Sequence, residues 1–282
     1  FEGSIVLSKR GLKWAAVPAI ASLSLLLTGC TSEELRGYLP GTPGITNHTD
    51  RITGLWTTSW IVLLAVGVIS WGLMAWAIIV YRRRKGETGL PPQLRYNNPI
   101  EVMFTVVPLI ITIGFFAFTA RDMAEIEKPV ANPDVQIQVI GKQWSWDFNY
   151  VNENVYESGV QSQFAGEAGS EAALPVLYLP VGKSVKVDLS SRDVIHSFWV
   201  IDFLYKKDMF PGRHNFMYFT PQVEGTYKGK CAELCGEYHS MMMFNVKVVS
   251  QAEYDAQMQK LAAAGNVGQL DNKYDRNQNL PA

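Results

Sequence analysis

Within twelve residues the chain reads Cys231-Ala-Glu233-Leu-Cys235-Gly-Glu-Tyr-His239-Ser-Met-Met242. Two thiolates, an imidazole and a thioether make a soft donor set, which selects copper or zinc over magnesium or calcium. The thioether points toward copper in electron transfer, because zinc has little use for methionine. The spacing Cys-x3-Cys-x3-His-x2-Met also departs from the Cys-x2-Cys and Cys-x4-Cys pairs of zinc fingers. These residues lie between two predicted strands. A loop lets all four side chains converge, whereas a strand would splay alternate ones to opposite faces.

One imidazole leaves a nitrogen ligand wanting, so a second is expected from elsewhere in the chain. There are four histidines. His196 lies in Asp193-Val-Ile-His196-Ser, directly after the turn Ser190-Ser191-Arg192-Asp193, where a strand edge can meet a neighbouring loop. His214, following Pro211-Gly212-Arg213, is the weaker alternative, and His48 precedes the first long apolar stretch.

The elements that must hold these residues are partly membrane-borne. At 282 residues, 48% hydrophobic and with a mean hydropathy of +0.02, the chain is long enough for two structural units and too apolar for an ordinary soluble protein. A net charge of −1 argues against nucleic acid as a partner. Residues 121–282 carry 20 acidic and 15 basic side chains, a mild bias toward a cationic partner surface. Three cysteines, one early and two near residue 231, do not form a disulfide framework.

Lys9, Arg10 and Lys13 precede an apolar run, Trp14 to Leu27, that closes on Thr28-Gly29-Cys30. This is the layout of a secretory signal over residues 1–29, and its end resembles a bacterial lipobox with Cys30 as the lipidated residue. After a link over 30–51, residues 52–81 contain no charge and exceed the ~20 residues that cross a bilayer. Arg82-Arg83-Arg84-Lys85 follows and places the 82–99 loop on the cytoplasmic side. A second membrane helix is expected over 100–120, with Pro108 inside it. The chain then returns outward, giving a two-pass protein of a bacterial cell membrane with its remaining domain outside.

From residue 121 the pattern changes to short β-type runs over 135–140, 184–189, 194–201, 216–219, 226–230 and 243–249. Val185, Val187 and Leu189 alternate with polar neighbours, as a half-buried strand should. Residues 121–250 therefore read as an all-β sandwich or barrel. Residues 152–173, rich in Glu, Gly, Ser and Ala, read as a surface insertion, and 251–282 as a short helix over 251–263 with a mobile polar tail.

Four segments carry a resemblance to subunit II of the haem-copper cytochrome c oxidases. They are Glu101-Val-Met-Phe-Thr-Val-Val-Pro108, Gly141-Lys-Gln-Trp144-Ser-Trp146, Asp193-Val-Ile-His196-Ser and the Cys231 to Met242 loop. The resemblance implies a transmembrane hairpin followed by a cupredoxin-like domain. It further implies a dinuclear copper centre, CuA, bridged by Cys231 and Cys235. His196 and His239 would be its nitrogen ligands, with Met242 and the main-chain carbonyl of Glu233 completing it. The Glu233 side chain would reach a magnesium or manganese ion shared with subunit I. Trp144 would accept electrons from cytochrome c, whether soluble, tethered or a domain of a cytochrome bc complex, while Trp146 reads as core. Asn149 stands where relatives carry an acidic docking residue, Glu101 would be the proton-entering carboxylate, and Arg213 would face subunit I. The implied whole is a proton-pumping aa3-type oxidase with subunits I and III, in which this chain alone reduces no oxygen. The competing reading is a membrane-anchored copper carrier or delivery protein, which needs the metal ligands but neither Trp144 nor Glu101.

Overall fold

A computed structural model describes residues 31–91, 93–162, 171 and 173–273. The expected signal and Cys30 lie outside the described residues. Residues 1–39 and 40–282 belong to separate compact units. In the first, Ser32–Leu35 forms one helical turn, closed by reciprocal bonds between Thr31 and Glu34.

The second unit opens with two long helices, α1 (Thr49–Val80) and α2 (Asn98–Ile126). Each has a mean hydropathy of 2.3 in its most apolar window and is long and apolar enough to cross a membrane. Asn97 starts α2, its side chain accepting from the Ile100 N–H, with Pro99 in the first turn and Pro108 inside the helix. Both helices overrun the ranges expected from sequence, α2 by six residues at its C-terminal end. The reason is that Asp122, at the expected boundary, is ion-paired to Arg51 at 2.9 Å and Arg121 at 3.0 Å, so charge does not end the helix.

Among the described residues ten strands follow, β1 (Val135–Lys142), β2 (Ser145–Tyr150), β3 (Val155–Ser158), β4 (Val176–Pro180), β5 (Val185–Ser191), β6 (His196–Val200), β7 (Tyr205–Met209), β8 (Asn215–Phe219), β9 (Gly225–Cys231) and β10 (Met243–Val249). They form two five-stranded sheets, ordered β3-β2-β1-β5-β8 and β4-β10-β9-β6-β7. Pairing is antiparallel except for β1 with β5 and β10 with β4. This is the all-β, cupredoxin-like domain expected after a helical pair.

Val135, Ile137 and Val139 alternate with half-exposed glutamines in β1, and Val185, Val187 and Leu189 alternate with half-exposed Lys186 and Asp188 in β5. Together with Phe198, Val200, Leu177, Leu179, Phe244 and Val246 of the other sheet they build one core. Its centre is aromatic. Phe244 stacks on Phe198 at 4.9 Å and meets the edge of Trp146 at 5.0 Å. Gly229 lies beneath the Phe244 ring, where any Cβ would collide with it.

Two expectations are corrected. The 152–173 insertion begins with β3, which adds an edge to the first sheet. The tail is not loose along its described length. Tyr156 donates to Asn266 O, Gly268 to Asn154 O, Leu270 to Asn149 Oδ1, and Arg192 Nε to Asp271 O. Edge-strand donors and a buried asparagine thus fix residues 266–271 across the sheet. The helix before it, α3 (Gln251–Ala263), packs through Tyr254, Met258 and Leu261, a spacing of four and three that lies on one face.

Phe244→Ala should lower stability by about 3–5 kcal/mol, the usual range for removing a buried ring. Guanidinium unfolding checks this, and a loss under about 1 kcal/mol would mean that the aromatic cluster is not the core's centre.

Candidate metal centre

Strand β9 ends on Cys231, and β10 begins directly after Met242, the last donor of the loop, with His239 to Met241 forming a 3-10 turn before it. The loop is closed at its base by the Cys231 N–H donating to Met242 O at 2.9 Å. Gly236 carries φ +125°, and a Cβ there would press on Gln143 and Trp144 at about 3.0 Å and 3.1 Å. Strand β6 pairs with β9 in the register Phe198↔Cys231, and the Ala232 N–H donates to Ser197 O. That register brings His196, at the start of β6, alongside the first loop residues.

The candidate donors lie close together. Cys231 Sγ and Cys235 Sγ are 3.8 Å apart. His196 Nδ1 lies 3.8 Å from Cys231 Sγ, and His239 Nδ1 lies 3.5 Å from Cys235 Sγ. Met242 Sδ is 3.8 Å from Cys235 Sγ, and the Glu233 carbonyl oxygen is 3.2 Å from Cys231 Sγ. Metal bonds of about 2.0–2.3 Å at near-tetrahedral angles separate neighbouring donors by roughly 3.3–3.8 Å, so these spacings fit a metal seated among them. His196, Cys231 and Cys235 are buried and have their donor atoms within 4.8 Å of one another. Among the described residues they are the group that meets this test. His214 is not in it. Its Nδ1 instead meets Asp188 Oδ1 at 2.7 Å on the exposed side of the first sheet.

Electrostatics point the same way. Two thiols this close cannot both ionise without repulsion. The sulfur contact with Cys235 is the main influence holding Cys231 low, with His196 adding to it and burial opposing it. The same contact, reinforced by burial, pushes Cys235 up. One thiolate and one thiol are the outcome, and a cation is the natural replacement for their shared proton.

Asp193 orients His196, a role that sequence reasoning left unassigned. Its Oδ1 lies 2.7 Å from His196 Nε2 and accepts the Val194 N–H, while Oδ2 accepts the Gln143 N–H at 2.8 Å. The carboxylate therefore selects the tautomer with hydrogen on Nε2 and leaves the Nδ1 lone pair facing the cysteines. Burial disfavours a charged His196, but the bonds to Asp193 and Cys231 outweigh it and the net shift is upward. Behind the ring stands Gly141, where a Cβ would come within 2.8 Å of His196 Cδ2. The spacing Asp193-x-x-His196 and the glycine before Lys142 were the available signals.

Trp144 is half-buried rather than fully exposed. Its Nε1 donates to Cys235 O at 3.3 Å, beside a 2.6 Å bond from Gln143 Nε2 to the same carbonyl, and Tyr238 meets its ring edge-on at 4.9 Å. Trp146 is fully buried core. Asn149 is also fully buried, bonded to Gln138 and to Leu270 O, so it faces no docking partner. Glu101 lies on the exposed first turn of α2, where its Oε1 accepts the Asn97 N–H. The Glu233 side chain and Arg213 are exposed.

The sequence profile described as "Cytochrome C oxidase subunit II, periplasmic domain" matches residues 135–249. A "Probable cytochrome c oxidase subunit 2" of Streptomyces avermitilis is 44% identical over 270 residues, covering 86% of this chain and 84% of its own. One from Streptomyces coelicolor is 41% identical with the same coverage. The "Cytochrome c oxidase subunit 2" of Mycobacterium tuberculosis is 33% identical over 301 residues, covering 89% and 82%. A crystal structure of the periplasmic domain of cytochrome oxidase subunit II from Bradyrhizobium japonicum aligns at 27% identity over 48% of this chain and 99% of that one, with a TM-score of 0.41.

Asp193→Asn should weaken copper retention by about 10–100-fold, the usual effect of removing a carboxylate behind a ligating histidine. Gly141→Ala should act in the same direction by displacing the His196 ring. Competition against a calibrated chelator measures both, and unchanged affinity in both variants would remove His196 from the ligand set.

Proposed function

The chain belongs to the cytochrome c oxidase subunit II family, part of an oxidoreductase complex, and from that premise we propose that it receives electrons from cytochrome c at a dinuclear copper centre. The observation that carries this reading is the convergence of four further donors about a cysteine pair 3.8 Å apart. Cys231, Cys235, His196 and His239, with Met242 and the Glu233 carbonyl, would hold the copper. Copper bound there supplies one-electron redox chemistry.

The surrounding residues have separable tasks. Asp193 fixes the His196 ring, and the Trp146, Phe198 and Phe244 cluster backs the site against water and movement. Trp144 is the electron acceptor. Its indole is half-buried and bonded directly to the Cys235 carbonyl, a short covalent and hydrogen-bonded path from the partner-facing side to a ligand. The exposed Glu233 side chain, not needed for copper because only its carbonyl faces Cys231, would hold a magnesium or manganese ion with subunit I.

The complex is an aa3-type, proton-pumping oxidase in which subunit I holds the haems and subunit III completes the core. The donor is cytochrome c in soluble, tethered or bc-complex-borne form. Helices α1 and α2 cross a bacterial cell membrane, the basic Arg82 to Lys85 cluster stays on the cytoplasmic side, and the β domain faces outward. Glu101 at the cytoplasmic end of α2 takes up protons through the oxygen that its bond to Asn97 leaves over, and Cys30 carries a lipid.

Copper reconstitution of the full chain in detergent should give two copper ions per chain and a mixed-valence paramagnetic signal shared over both nuclei. Cys231→Ser or Cys235→Ser should abolish it. A single copper with a blue mononuclear spectrum, or copper exchanging freely with chelator, would replace this reading with a carrier or delivery protein. Trp144→Phe should leave the copper spectrum intact while slowing reduction by ferrous cytochrome c severalfold in stopped-flow traces, and an unchanged rate would place the electron acceptor elsewhere.

A further inference from the structure

The outward ends of α1 and α2 hold a feature that the electron-transfer role does not use. A cavity of about 440 Å³ lies between them, walled by Gly54, Leu55, Phe115 and Phe118 and closed at its outer end by Arg51, Arg121 and Asp122. The wall is apolar and the closure is ionic. A second, more polar cavity of about 340 Å³ begins on the other side of Arg51 and is bordered by His48, Glu125 and Lys128.

The charges at the closure do not balance. Arg51 Nη1 lies 2.9 Å from Asp122 Oδ1, and Arg121 reaches the same oxygen with Nη2 at 3.0 Å and Nε at 3.2 Å. Two guanidiniums thus face one carboxylate. Asp122 is buried, while the Arg51 and Arg121 side chains are 39% and 62% exposed. Each guanidinium offers five N–H donors, of which these bonds use one from Arg51 and two from Arg121. Arg121 is further ordered by the Phe118 ring, 5.2 Å from its guanidinium carbon.

We propose that this groove binds one anionic glycerophospholipid of the outer leaflet, its phosphate held by Arg51 and Arg121 and an acyl chain lying along Leu55, Phe115 and Phe118. The inference rests on the membrane orientation given above. Charge complementarity sets the headgroup, since one positive charge remains after Asp122 is satisfied and a phosphate accepts bidentate arginine bonds. Depth sets the tail. From Arg51 to Ser59, and from Asp122 back to Phe115, the groove runs along seven or eight helical residues, about 10–12 Å into the leaflet. A free anion would have no use for that apolar length, and a water-filled groove there would expose aromatic surface at hydrocarbon depth.

The test uses the full chain in nanodiscs of phosphatidylcholine with a minority of phosphatidylglycerol, followed by native mass spectrometry of the lipid retained. The wild-type chain should keep one phosphatidylglycerol in preference to phosphatidylcholine. Arg121→Gln leaves the Arg51 to Asp122 pair intact and should reduce that preference about fivefold, the effect of one interfacial cation. Gly54→Leu projects into open space, with nothing within 4 Å of its Cβ, and should reduce retention of either lipid by filling the groove. Inorganic phosphate should not displace the lipid. Equal retention by all three chains would overturn the proposal, as would displacement by inorganic phosphate, which would make this a site for a free anion. Loss of the Gly54→Leu effect in the assembled oxidase would also overturn it, by showing that another subunit covers the groove. Labelling of the Arg82 to Lys85 loop in right-side-out vesicles checks the orientation separately, so its failure is distinguishable from a failure of lipid binding.

Discussion

Everything around the candidate metal centre answers to one constraint, the approach of two cysteine sulfurs to 3.8 Å in a buried site. Without a cation, repulsion allows only one of them to ionise, so the pair is held together by a shared proton and by its surroundings. The second sheet brings the donors together. Cys231 comes from the end of β9, His196 from the start of β6, and the remaining donors from the loop that leads into β10. None of these can slide independently, because β6, β9 and β10 are successive neighbours in one ladder. A register shift of one residue in β6 would turn His196 to the opposite face and remove a candidate nitrogen donor.

The first sheet contributes control rather than ligands. Its β1–β2 hairpin carries Gly141, Gln143 and Trp144 over the loop, and the β5–β6 crossover carries Asp193 beneath His196. The hairpin and the crossover are tied to each other, since the Arg192 N–H donates to Gly141 O and the Gln143 N–H to Asp193 Oδ2. One network therefore fixes a ligand's tautomer and the position of the indole above Cys235. Strain on either sheet is felt by both the metal ligand and the candidate electron acceptor.

How much of this was legible in the sequence depended on whether a signal was local. The ligand loop was, because soft donors at short spacing are rare outside a metal site, and so were the long apolar helices. Strands β5 and β10 announced themselves by alternation or continuous apolar character. By contrast β2, with the sequence SWDFNY, is buried on both faces, its Asp147 neutralised by Lys142 at 2.7 Å and its Asn149 covered by the tail. Polar residues in such a strand look like a solvated face until the covering segment, over a hundred residues away in sequence, is known. Strand β7, YKKDM, was hidden for a related reason: Lys206 and Asp208 are exposed, and Lys207 shares the inward face of Tyr205 and Met209, satisfied there by Glu127. Asp193 was visible three residues before His196, yet the bond between them depends on a turn that spacing alone does not specify.

The helices and the β domain meet through directional polar contacts, beside the apolar contacts that Ile52 and Ile126 make with the core. Glu127, which caps α2, accepts from Tyr205 and from Lys207 of β7, His48 at the head of α1 bonds to Tyr218 O, and Asn47 pairs with Thr220. At the bilayer surface apolar burial gives little discrimination, because lipid, protein and the outer ends of the helices all offer apolar surface. Hydrogen bonds and ion pairs have direction, and several of them anchored to two helices define an angle as well as a separation. The buried Asp122, shared by an arginine from each helix, performs the same task within the helical pair. On the proposed membrane orientation, the height and tilt of the candidate metal site would then be set by polar and charged groups at the helix ends, which favour the interface.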